Sequence, residues 1–490
     1  MTNNVDIVLI NPGDRKRGFQ NLGADLAAIE PPFWIAAIAA YLRNRGFEVC
    51  VIDSNAENIS PEETAQRVNE FNPILAAVIV YGSNPQGSTQ NMTIACKICG
   101  ALKEMTVSKV IIGGLHPSAL PQKTLEEENA DYVIEGEGPY TLEALLNVLK
   151  AGKTDFSKVP GLWYREKEQI THNSRAPLIE NLDTGIPAGA FDLLPMHKYK
   201  AHNWHCFDHI HDRTPYAAVY TSLGCPFSCN FCCINAPFGK PGIRFRSPGL
   251  VASEIGLLVE KYGVKNIKIV DELFILKDEH YMGIADLIIK NNYDLNIWAY
   301  ARVDTVNPGN LKIMKKAGIN WLALGIESAS TLVRDGTNKQ IKAKDIIKVV
   351  RTIQNEGIRV GANYIFGLPD DNMETMNETL NLALEINSEY ANFYSAMAYP
   401  GSKLYDLAIK EKWELPKSWH AFSQYSYEIL PLPTKYLTPA QVLRFRDDAF
   451  QRYFENPKYL NMIEKVFNAE AREHIQEMTK VRLKRKLLGD

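Results

Sequence analysis

Three cysteines are crowded into one short stretch of the chain. Cys225, Cys229 and Cys232 follow the pattern CxxxCxxC. Thiolates spaced in this way on one loop can hold an iron–sulfur cube, and three protein ligands leave the fourth iron open to a ligand that is not part of the protein. A zinc knuckle without its fourth ligand and three structural cysteines are the alternatives. Cys233 lies just outside the pattern, and we expect it to serve packing.

A second CxxC, formed by Cys96 and Cys99, is separate from this group. It falls inside a predicted helix, whereas redox cysteines favour the electropositive start of a helix. We therefore expect both thiols to belong to a hydrophobic core.

The three-cysteine loop directly follows the first strand of a predicted α/β series. The predicted strands are 217–222, 267–270, 298–301, 321–324, 361–366 and 392–396, and each is followed by a helical stretch. Six strand–helix units are too few for a complete eight-unit barrel, so the pattern predicts an open, partial barrel. Its chemistry should lie at the carboxyl ends of the strands.

An earlier α/β series occupies residues 1–150. Apolar runs at 5–10, 48–52, 76–81, 110–112 and 132–134 alternate with amphipathic stretches at 32–45, 61–71, 89–105, 122–128 and 140–150. This alternation predicts a doubly wound α/β domain, which binds ligands beyond the carboxyl ends of its strands. The first strand is not followed by the GxGxxG fingerprint of dinucleotide-binding domains.

We expect the chain to consist of four parts. They are an α/β domain at 1–150, a connector at 151–214, a partial barrel at 215–405 and a mainly helical region at 406–490. The connector contains several histidines between His202 and His211. They could bind a metal ion or a polar substrate, but a solvated linker is the favoured interpretation.

The composition is that of a globular, multidomain protein. The 490 residues are 46% hydrophobic and 23% charged, and the formal charge is −3. This balance provides no general attraction to nucleic acid or to an anionic membrane. No apolar run is long enough to cross a bilayer, and the N-terminus does not have the layout of a secretory signal. We expect a cytoplasmic protein with neither nucleic acid nor membrane as a partner.

The CxxxCxxC loop after the first barrel strand resembles the motif of the radical S-adenosylmethionine (SAM) superfamily. The resemblance covers about residues 216–405. It implies that Cys225, Cys229 and Cys232 hold a 4Fe–4S cluster, whose fourth iron is chelated by the methionine part of SAM. It also implies that Phe231 lies beside the adenine.

Further residues at the strand ends match the same superfamily. Asp271 and Glu272 lie where its members contact the SAM ammonium, although the usual Gly-Gly-Glu is absent. Gly325-Ile326-Glu327-Ser328 resembles the Gly-Ile-Glu-Ser motif, which implies that Glu327 and Ser328 contact the ribose or amino acid moiety. A helix N-cap is a compatible role for Ser328. Arg302 could pair with the SAM carboxylate, and a structural salt bridge is an equal alternative.

The N-terminal domain resembles cobalamin-binding domains. Ser83 follows the third predicted strand and Gly113-Gly114 follow the fourth. The resemblance implies that these residues line the channel for the nucleotide tail. Domains that supply an axial histidine carry Asp-x-His-x-x-Gly after the first strand, whereas residues 14–18 here read Asp-Arg-Lys-Arg-Gly. We therefore expect cobalamin to bind with its base displaced and without a bond between histidine and cobalt. Another nucleotide, or no ligand, is the alternative.

The two halves together resemble the cobalamin-dependent radical SAM enzymes. This resemblance implies a C-methyltransferase that acts on an unactivated carbon of a small molecule, such as a sugar or a natural-product intermediate, with flavodoxin or ferredoxin as electron donor. A cyclase, a ring-contracting enzyme or a dehydratase is the runner-up. A radical methylthiotransferase acting on tRNA would need extra N-terminal cysteines and a basic C-terminal domain, and neither is evident. A cobalamin sensor would not need the three cysteines.

Overall fold

The computed structural model describes residues 5–14, 20, 27–82, 85–341 and 343–490. The N-terminal part is built on a seven-stranded sheet in the order β2-β1-β3-β4-β5-β6-β7, of which the first five strands are parallel. The strands are β1 (Ile7–Asn11), β2 (Val49–Asp53), β3 (Leu75–Val80), β4 (Lys109–Gly114), β5 (Tyr132–Ile134), β6 (Leu162–Glu166) and β7 (Gln169–His172).

Helices cover both faces of this sheet. They are α1 (Phe33–Arg43), α2 (Ser54–Glu57), α3 (Pro61–Phe71), α4 (Pro85–Met105), α5 (Leu115–Ala119), α6 (Pro121–Glu127) and α7 (Pro139–Lys150). Successive side chains of β1 enter opposite cores, because Leu9 packs with α1 and α7 whereas Val8 packs with α3 and α4. The predicted doubly wound α/β domain is confirmed.

The sheet also extends into the segment expected to be a connector. Strands β6 and β7 form an antiparallel hairpin that pairs with β5. The turn between them places Lys167 and Glu168 at φ +47° and +68°, a conformation that hairpin turns usually reserve for glycine or asparagine. Because the turn carries no such residue, the hairpin could not be predicted from local sequence patterns.

The second part is a six-stranded, all-parallel sheet in the order β15-β14-β13-β12-β11-β8. Its strands are β8 (Tyr216–Val219), β11 (Asn266–Ile269), β12 (Asn296–Arg302), β13 (Ile319–Glu327), β14 (Arg359–Phe366) and β15 (Tyr390–Ser395), and a short hairpin of β9 (Ser222–Leu223) and β10 (Arg244–Phe245) follows β8. The predicted partial barrel of six units is confirmed.

Helices accompany the barrel strands and fill the C-terminal region. They are α8 (Leu182–Gly185), which precedes the barrel, then α9 (Pro248–Tyr262), α10 (Asp278–Lys290), α11 (Leu311–Lys316), α12 (Thr331–Gly336), α13 (Ala343–Asn355), α14 (Met373–Ile386), α15 (Lys403–Lys410), α16 (Pro439–Phe454), α17 (Pro457–Val466) and α18 (Ala469–Lys480). The last three pack on the barrel, where Arg446 Nε donates to the carbonyl of Phe393 at 2.7 Å. None of the helices in the described part of the chain is long and apolar enough to span a bilayer.

The histidine-rich segment is not the solvated linker that we expected. His205 and Cys206 are buried, and His205 Nε2 lies 3.1 Å from the carbonyl of Asn296, at the start of β12. Burial lowers the pKa of His205 to about 3, so the ring is neutral. Tertiary packing against the amino ends of the barrel strands overrides the polar composition of this segment.

The carboxyl ends of the two sheets face each other. Arg244, in the hairpin after β8, forms a bidentate ion pair with Glu137, after β5, at 2.7 and 3.1 Å. Nearby, Arg175 bonds Glu135 at 2.8 Å and the carbonyl of Ala236 at 2.9 Å. The ligand-binding edges of both domains therefore border a common space.

Candidate active site

The three-cysteine loop begins with a sharp turn at Gly224. This residue has φ +88°, and a Cβ atom here would lie 2.5 Å from the carbonyl oxygen of Gly242. Only glycine therefore allows the chain to turn from β9 into the loop. Later in the loop, the amide of Cys232 donates to the carbonyl of Cys229 at 3.0 Å, which holds the second and third cysteines in one turn.

The thiols of Cys225, Cys229 and Cys232 are partly exposed and interact with one another. Burial raises the pKa of Cys225 to about 11, and the neighbouring Cys229 contributes to the increase. No three metal-binding side chains in the described ranges converge closely enough for a single ion. A four-iron cube instead takes one thiolate at each of three corners, so the three thiols fit a cluster better than they fit zinc.

Cys233 and the second CxxC differ from these thiols. Cys233 is 1% exposed and belongs to the core between the two domains. Cys96 lies within α4, where burial and a bond to Glu128 raise its pKa to about 12. Burial also raises the pKa of Cys99 well above its ordinary value. Cys99 belongs to the core beneath α4, whereas Cys96 is only partly buried.

Two cations flank the loop through its phenylalanines. The guanidinium of Arg302 lies 3.9 Å from the centre of the Phe227 ring and forms a bidentate ion pair with Asp304 at 2.9 Å. The ammonium of Lys339 lies 6.0 Å from the Phe231 ring. The structural salt bridge considered for Arg302 is therefore present. Lys339 was not anticipated, because a single lysine beyond a strand end has no sequence signature.

Glu327 has a backbone conformation that is unusual for a residue with a side chain. Its φ is +66°, and the register of β13 against β14 shifts at this point. The carboxylate pairs with the buried ammonium of Lys339. A Cβ at Gly325 would lie 2.5 Å from both charged groups. Such strain is typical of functional sites, and it holds a carboxylate at the carboxyl edge of the barrel.

Ser328 and Asp271 are committed to the protein itself. Ser328 is completely buried, with its hydroxyl 3.1 Å from that of Thr379. Asp271 is also completely buried and accepts from the amide and hydroxyl of Thr221 and from the hydroxyl of Ser222, each at 2.6 Å. Asp271 thereby fixes the chain just before the cysteine loop. Both groups therefore position the surrounding chain, and the expected contacts of Asp271 and Ser328 with SAM stay predictions.

Glu272, beside Asp271, has the property that a cofactor contact requires. Its Oε2 atom is buried and has no hydrogen-bond partner among the residues described. Burial raises the pKa of Glu272 to about 8. A buried acceptor without a partner is costly, so this carboxylate suits an incoming donor such as an ammonium group.

The glycine pair forms the carboxyl end of β4. Gly114 has φ +137°, and a Cβ there would lie 2.2 Å from the carbonyl oxygen of Val80 on β3. At Gly113 a Cβ would lie 2.8 Å from Cδ1 of Ile134. These contacts show that β3, β4 and β5 approach one another closely at this edge, and the tail channel beside the glycines stays a prediction. Ser83 and residues 15–18 of the first loop lie outside the described residues.

His116, two residues beyond this pair, is enclosed. Its Nδ1 lies 3.2 Å from the hydroxyl of Thr89, and its ring packs edge-on against Trp419 at 4.4 Å. Burial lowers the pKa of His116 to about 3. It is a neutral core histidine rather than an exposed imidazole.

A cavity separates the two sheets. One wall belongs to the N-terminal domain, and the other is formed by Ala218, Tyr220 and Val270 of the barrel. Trp34, at the start of α1, stacks on Tyr81 with ring centres 4.3 Å apart, and it also lies 6.2 Å from Tyr220. Ligands bound at the carboxyl ends of the two sheets would therefore lie on either side of these aromatic side chains.

The structure therefore consists of an α/β domain, with two glycines at the carboxyl end of β4, and a partial barrel that carries the three-cysteine loop. The carboxyl ends of the two sheets face each other. Comparisons with known proteins agree with this description. The B12 binding domain family matches residues 21–146, and the Radical SAM superfamily matches residues 219–383. The chain is 30% identical over 431 residues to an uncharacterized methyltransferase of Pyrococcus horikoshii, covering 88% of this chain and 89% of that protein.

Two further similarities are informative. The chain is 25% identical over 460 residues to the anaerobic magnesium-protoporphyrin IX monomethyl ester cyclase of Cereibacter sphaeroides, covering 91% of this chain and 70% of the cyclase. Its fold matches the radical SAM methyltransferase TsrM from Kitasatospora setae, solved with cobalamin and a 4Fe–4S cluster. That match has a TM-score of 0.70 at 15% identity and covers 97% of this chain and 99% of TsrM.

This chain belongs to the cobalamin-dependent radical SAM enzymes. It is accordingly an enzyme of a methyltransferase family whose cofactors are a 4Fe–4S cluster, SAM and cobalamin.

Proposed function

We propose that this enzyme is a C-methyltransferase that acts on an unactivated carbon of a small molecule, such as a sugar or a natural-product intermediate. The observation that carries the proposal is the shared cavity, which Tyr81 and Gly82 line from the cobalamin domain and Ala218 and Tyr220 line from the barrel. A methyl carrier and a radical generator are useful to one substrate only when they face the same enclosed space.

The chain's residues have distinct roles in this proposal. Cys225, Cys229 and Cys232 hold the cluster, while the unpartnered carboxylate oxygen of Glu272 receives the SAM ammonium. Glu327, neutralised by Lys339, accepts hydrogen bonds from the ribose or amino acid moiety, with Phe231 beside the adenine.

Gly113 and Gly114, together with Ser83, line the tail channel for cobalamin. When bound, the cluster and SAM supply a 5′-deoxyadenosyl radical, and cobalamin supplies a methyl group. Arg302 lies among the thiols and stabilises negative charge there, because its cation interacts with Cys225 and Cys229.

The external electron donor is a flavodoxin or a ferredoxin. This partner follows from the proposed chemistry, since each turnover consumes one electron at the cluster.

The decisive test is the stoichiometry of the SAM products under anaerobic turnover with reductant, cobalamin and candidate substrates. Methyl transfer should produce S-adenosylhomocysteine and 5′-deoxyadenosine in equal amounts, with one methyl group added to the product. A Cys232→Ala variant should form no 5′-deoxyadenosine, and this gives the background.

The runner-up is a non-methylating reaction, such as that of a cyclase, a ring-contracting enzyme or a dehydratase. The similarity to the magnesium-protoporphyrin cyclase supports a cyclase in particular. Such an enzyme would release 5′-deoxyadenosine without matching S-adenosylhomocysteine, and label from methyl-labelled SAM would not enter the product. That pattern, observed with the true substrate, would replace methyl transfer.

A further inference from the structure

A buried carboxylate projects into the space between the two domains. Glu30 immediately precedes Pro31, Pro32 and helix α1, and its side chain is 4% exposed. Its Oε1 atom accepts a hydrogen bond from Nζ of Lys268 on β11 at 2.8 Å. Its Oε2 atom is buried and has no hydrogen-bond partner in the described part of the chain.

The contacts of Glu30 neutralise its charge but satisfy only one of its oxygens. Lys268 is itself nearly buried, with 10% of its side chain exposed. Burial alone would lower the pKa of Lys268, but Glu30 and Tyr300 raise it above its ordinary value, so the lysine stays charged. His202 Nε2 lies 3.9 Å from Oε1, on the same side as Lys268. A buried acceptor left without a partner costs free energy, so Oε2 favours a ligand that donates a hydrogen bond.

The surroundings of Oε2 restrict the kind of ligand. Among the described residues that line the cavity, Glu30 is the only charged one. The other lining residues include aromatic side chains, such as Phe33, Trp34 and Tyr220, and three asparagines, Asn11, Asn55 and Asn91. Aromatic walls favour a flat ring, and a few placed polar groups fix its orientation.

We propose that Glu30 anchors the methyl acceptor, and that this substrate is an uncharged ring compound with a hydroxyl or N–H donor at one edge. The inference rests on the proposed function and narrows its substrate class. Lys268 cancels the charge of Glu30, so a cationic ligand would gain little attraction while losing its hydration. An anionic ligand would place a second carboxylate beside Oε2. A neutral donor satisfies the oxygen without either cost.

The competing explanation is that the Glu30–Lys268 pair only ties the N-terminal segment to the barrel. If the Glu30–Lys268 pair only links the two parts of the chain, its removal should lower the stability of the protein. If Glu30 anchors the substrate, its removal should change which ligands bind best, according to their donor group. The test is therefore a ratio of two affinities, because a general loss of stability does not change which of two similar ligands binds better.

The experiment uses the anaerobic enzyme loaded with cluster and cobalamin, and four probes that share one ring system. These probes are naphthol, its methyl ether, naphthylmethylamine and naphthoate, and their dissociation constants are measured by ligand-observed magnetic resonance. We expect naphthol to bind about tenfold more tightly than its methyl ether, which corresponds to 1.4 kcal/mol. The amine and the carboxylate should bind more weakly than naphthol.

The main variant is Glu30→Met combined with Lys268→Met, because replacing both members of a buried pair by apolar residues often preserves the fold. In this double variant, naphthol and its methyl ether should bind with about equal affinity. Glu137→Gln is the matched control, since it weakens another ion pair between the same domains, with Arg244 at 2.7 Å, outside the cavity lining. This control should keep the preference.

Several outcomes would overturn the anchor. They are equal binding of naphthol and its ether to the native enzyme, no binding of naphthol at all, tightest binding of the amine, and a preference that survives in the double variant. The SAM product ratio tests the proposed function separately. If that ratio fails while the naphthol preference follows Glu30, the reaction type is wrong and the substrate class stands.

Discussion

The two glycines at the end of β4 allow steric effects to be separated from cofactor binding. Gly114 has a backbone conformation, φ +137°, that is closed to alanine, and its added Cβ would meet the β3 backbone at 2.2 Å. Gly113 has extended backbone, and its added Cβ would meet Cδ1, Cβ and Cγ1 of Ile134 at 2.8, 3.1 and 3.2 Å, but no backbone atom within those contacts. Alanine at neighbouring positions should therefore have very different costs.

The costs follow from these contacts. For Gly114→Ala, the unfavourable backbone conformation costs about 1–3 kcal/mol, and moving the chain away from Val80 costs about 1–3 kcal/mol more. The sum is a large share of the roughly 5–15 kcal/mol that stabilises a domain. For Gly113→Ala, the whole Ile134 side chain must move, which costs about 1–3 kcal/mol, and a gain of about 0.4–1 kcal/mol from the stiffer unfolded chain offsets part of this cost.

Three measurements on the same preparations test the prediction: hydrogen exchange of the β3 and β4 amides without cobalamin, the affinity for cobalamin, and the iron content per chain. Gly113→Ala should accelerate exchange much less than Gly114→Ala does, but it should weaken cobalamin binding, because the displaced Ile134 side chain narrows the proposed tail channel. Gly114→Ala should accelerate exchange and also weaken cobalamin binding. Both variants should retain iron, since the cysteine loop belongs to the barrel.

Each part of the reasoning can fail separately. Native-like exchange in Gly114→Ala would refute the steric argument. Unchanged cobalamin affinity in Gly113→Ala would refute the position of the tail beside the glycines. Parallel loss of cobalamin and iron would mean that the whole molecule had unfolded, rather than that a channel had been blocked.

Three further predictions concern the cluster, SAM and pH. Iron content should be lost in Cys232→Ala but kept in Cys233→Ala, which removes only a buried core thiol; the reverse result would overturn the ligand set. Gly325→Ala places a methyl group 2.5 Å from the Glu327 carboxylate and from its cationic partner, so SAM should bind cluster-loaded protein about tenfold more weakly. Equilibrium dialysis measures this, and an unchanged affinity would contradict the assignment of Glu327. The folded-state pKa of His116, about 3, lies below its unfolded value, so stability is lost as pH falls below about 6.5, by roughly 2 kcal/mol at about pH 5. Urea titrations at about pH 6.5 and about pH 5 measure this loss of stability. His116→Gln should reduce the loss, and a loss of unchanged size in the variant would show that other groups cause it.

The order of strands and helices in both domains was predictable because it depends on local periodicity. Helix α3, for example, was predicted at its exact bounds, since Ser60 and Glu63 form a capping box before an amphipathic run. The cysteine loop was equally visible because its ligands lie within a few residues of one another.

Long-range contacts were not predictable in this way. Glu30 and Lys268 are 238 residues apart in the chain, and nothing near either residue indicates the other. The full use of Asp271 by Thr221 and Ser222 likewise depends on how β8 and β11 align. Patterns identified which loops carry chemistry, whereas burial and partners decided which side chain in each loop is free to perform it.

Helix α1 has a consequence for protein engineering. Its residues from Phe33 to Leu42 are all buried, because one side packs on the N-terminal sheet through Ile35 and Ile38, while Phe33 and Trp34 pack with barrel residues. A chimera that joins this N-terminal domain to a foreign barrel would expose that second side to water and invite aggregation. When catalytic barrels are exchanged among related enzymes, the side of α1 that contacts the barrel should therefore be redesigned to fit the new barrel.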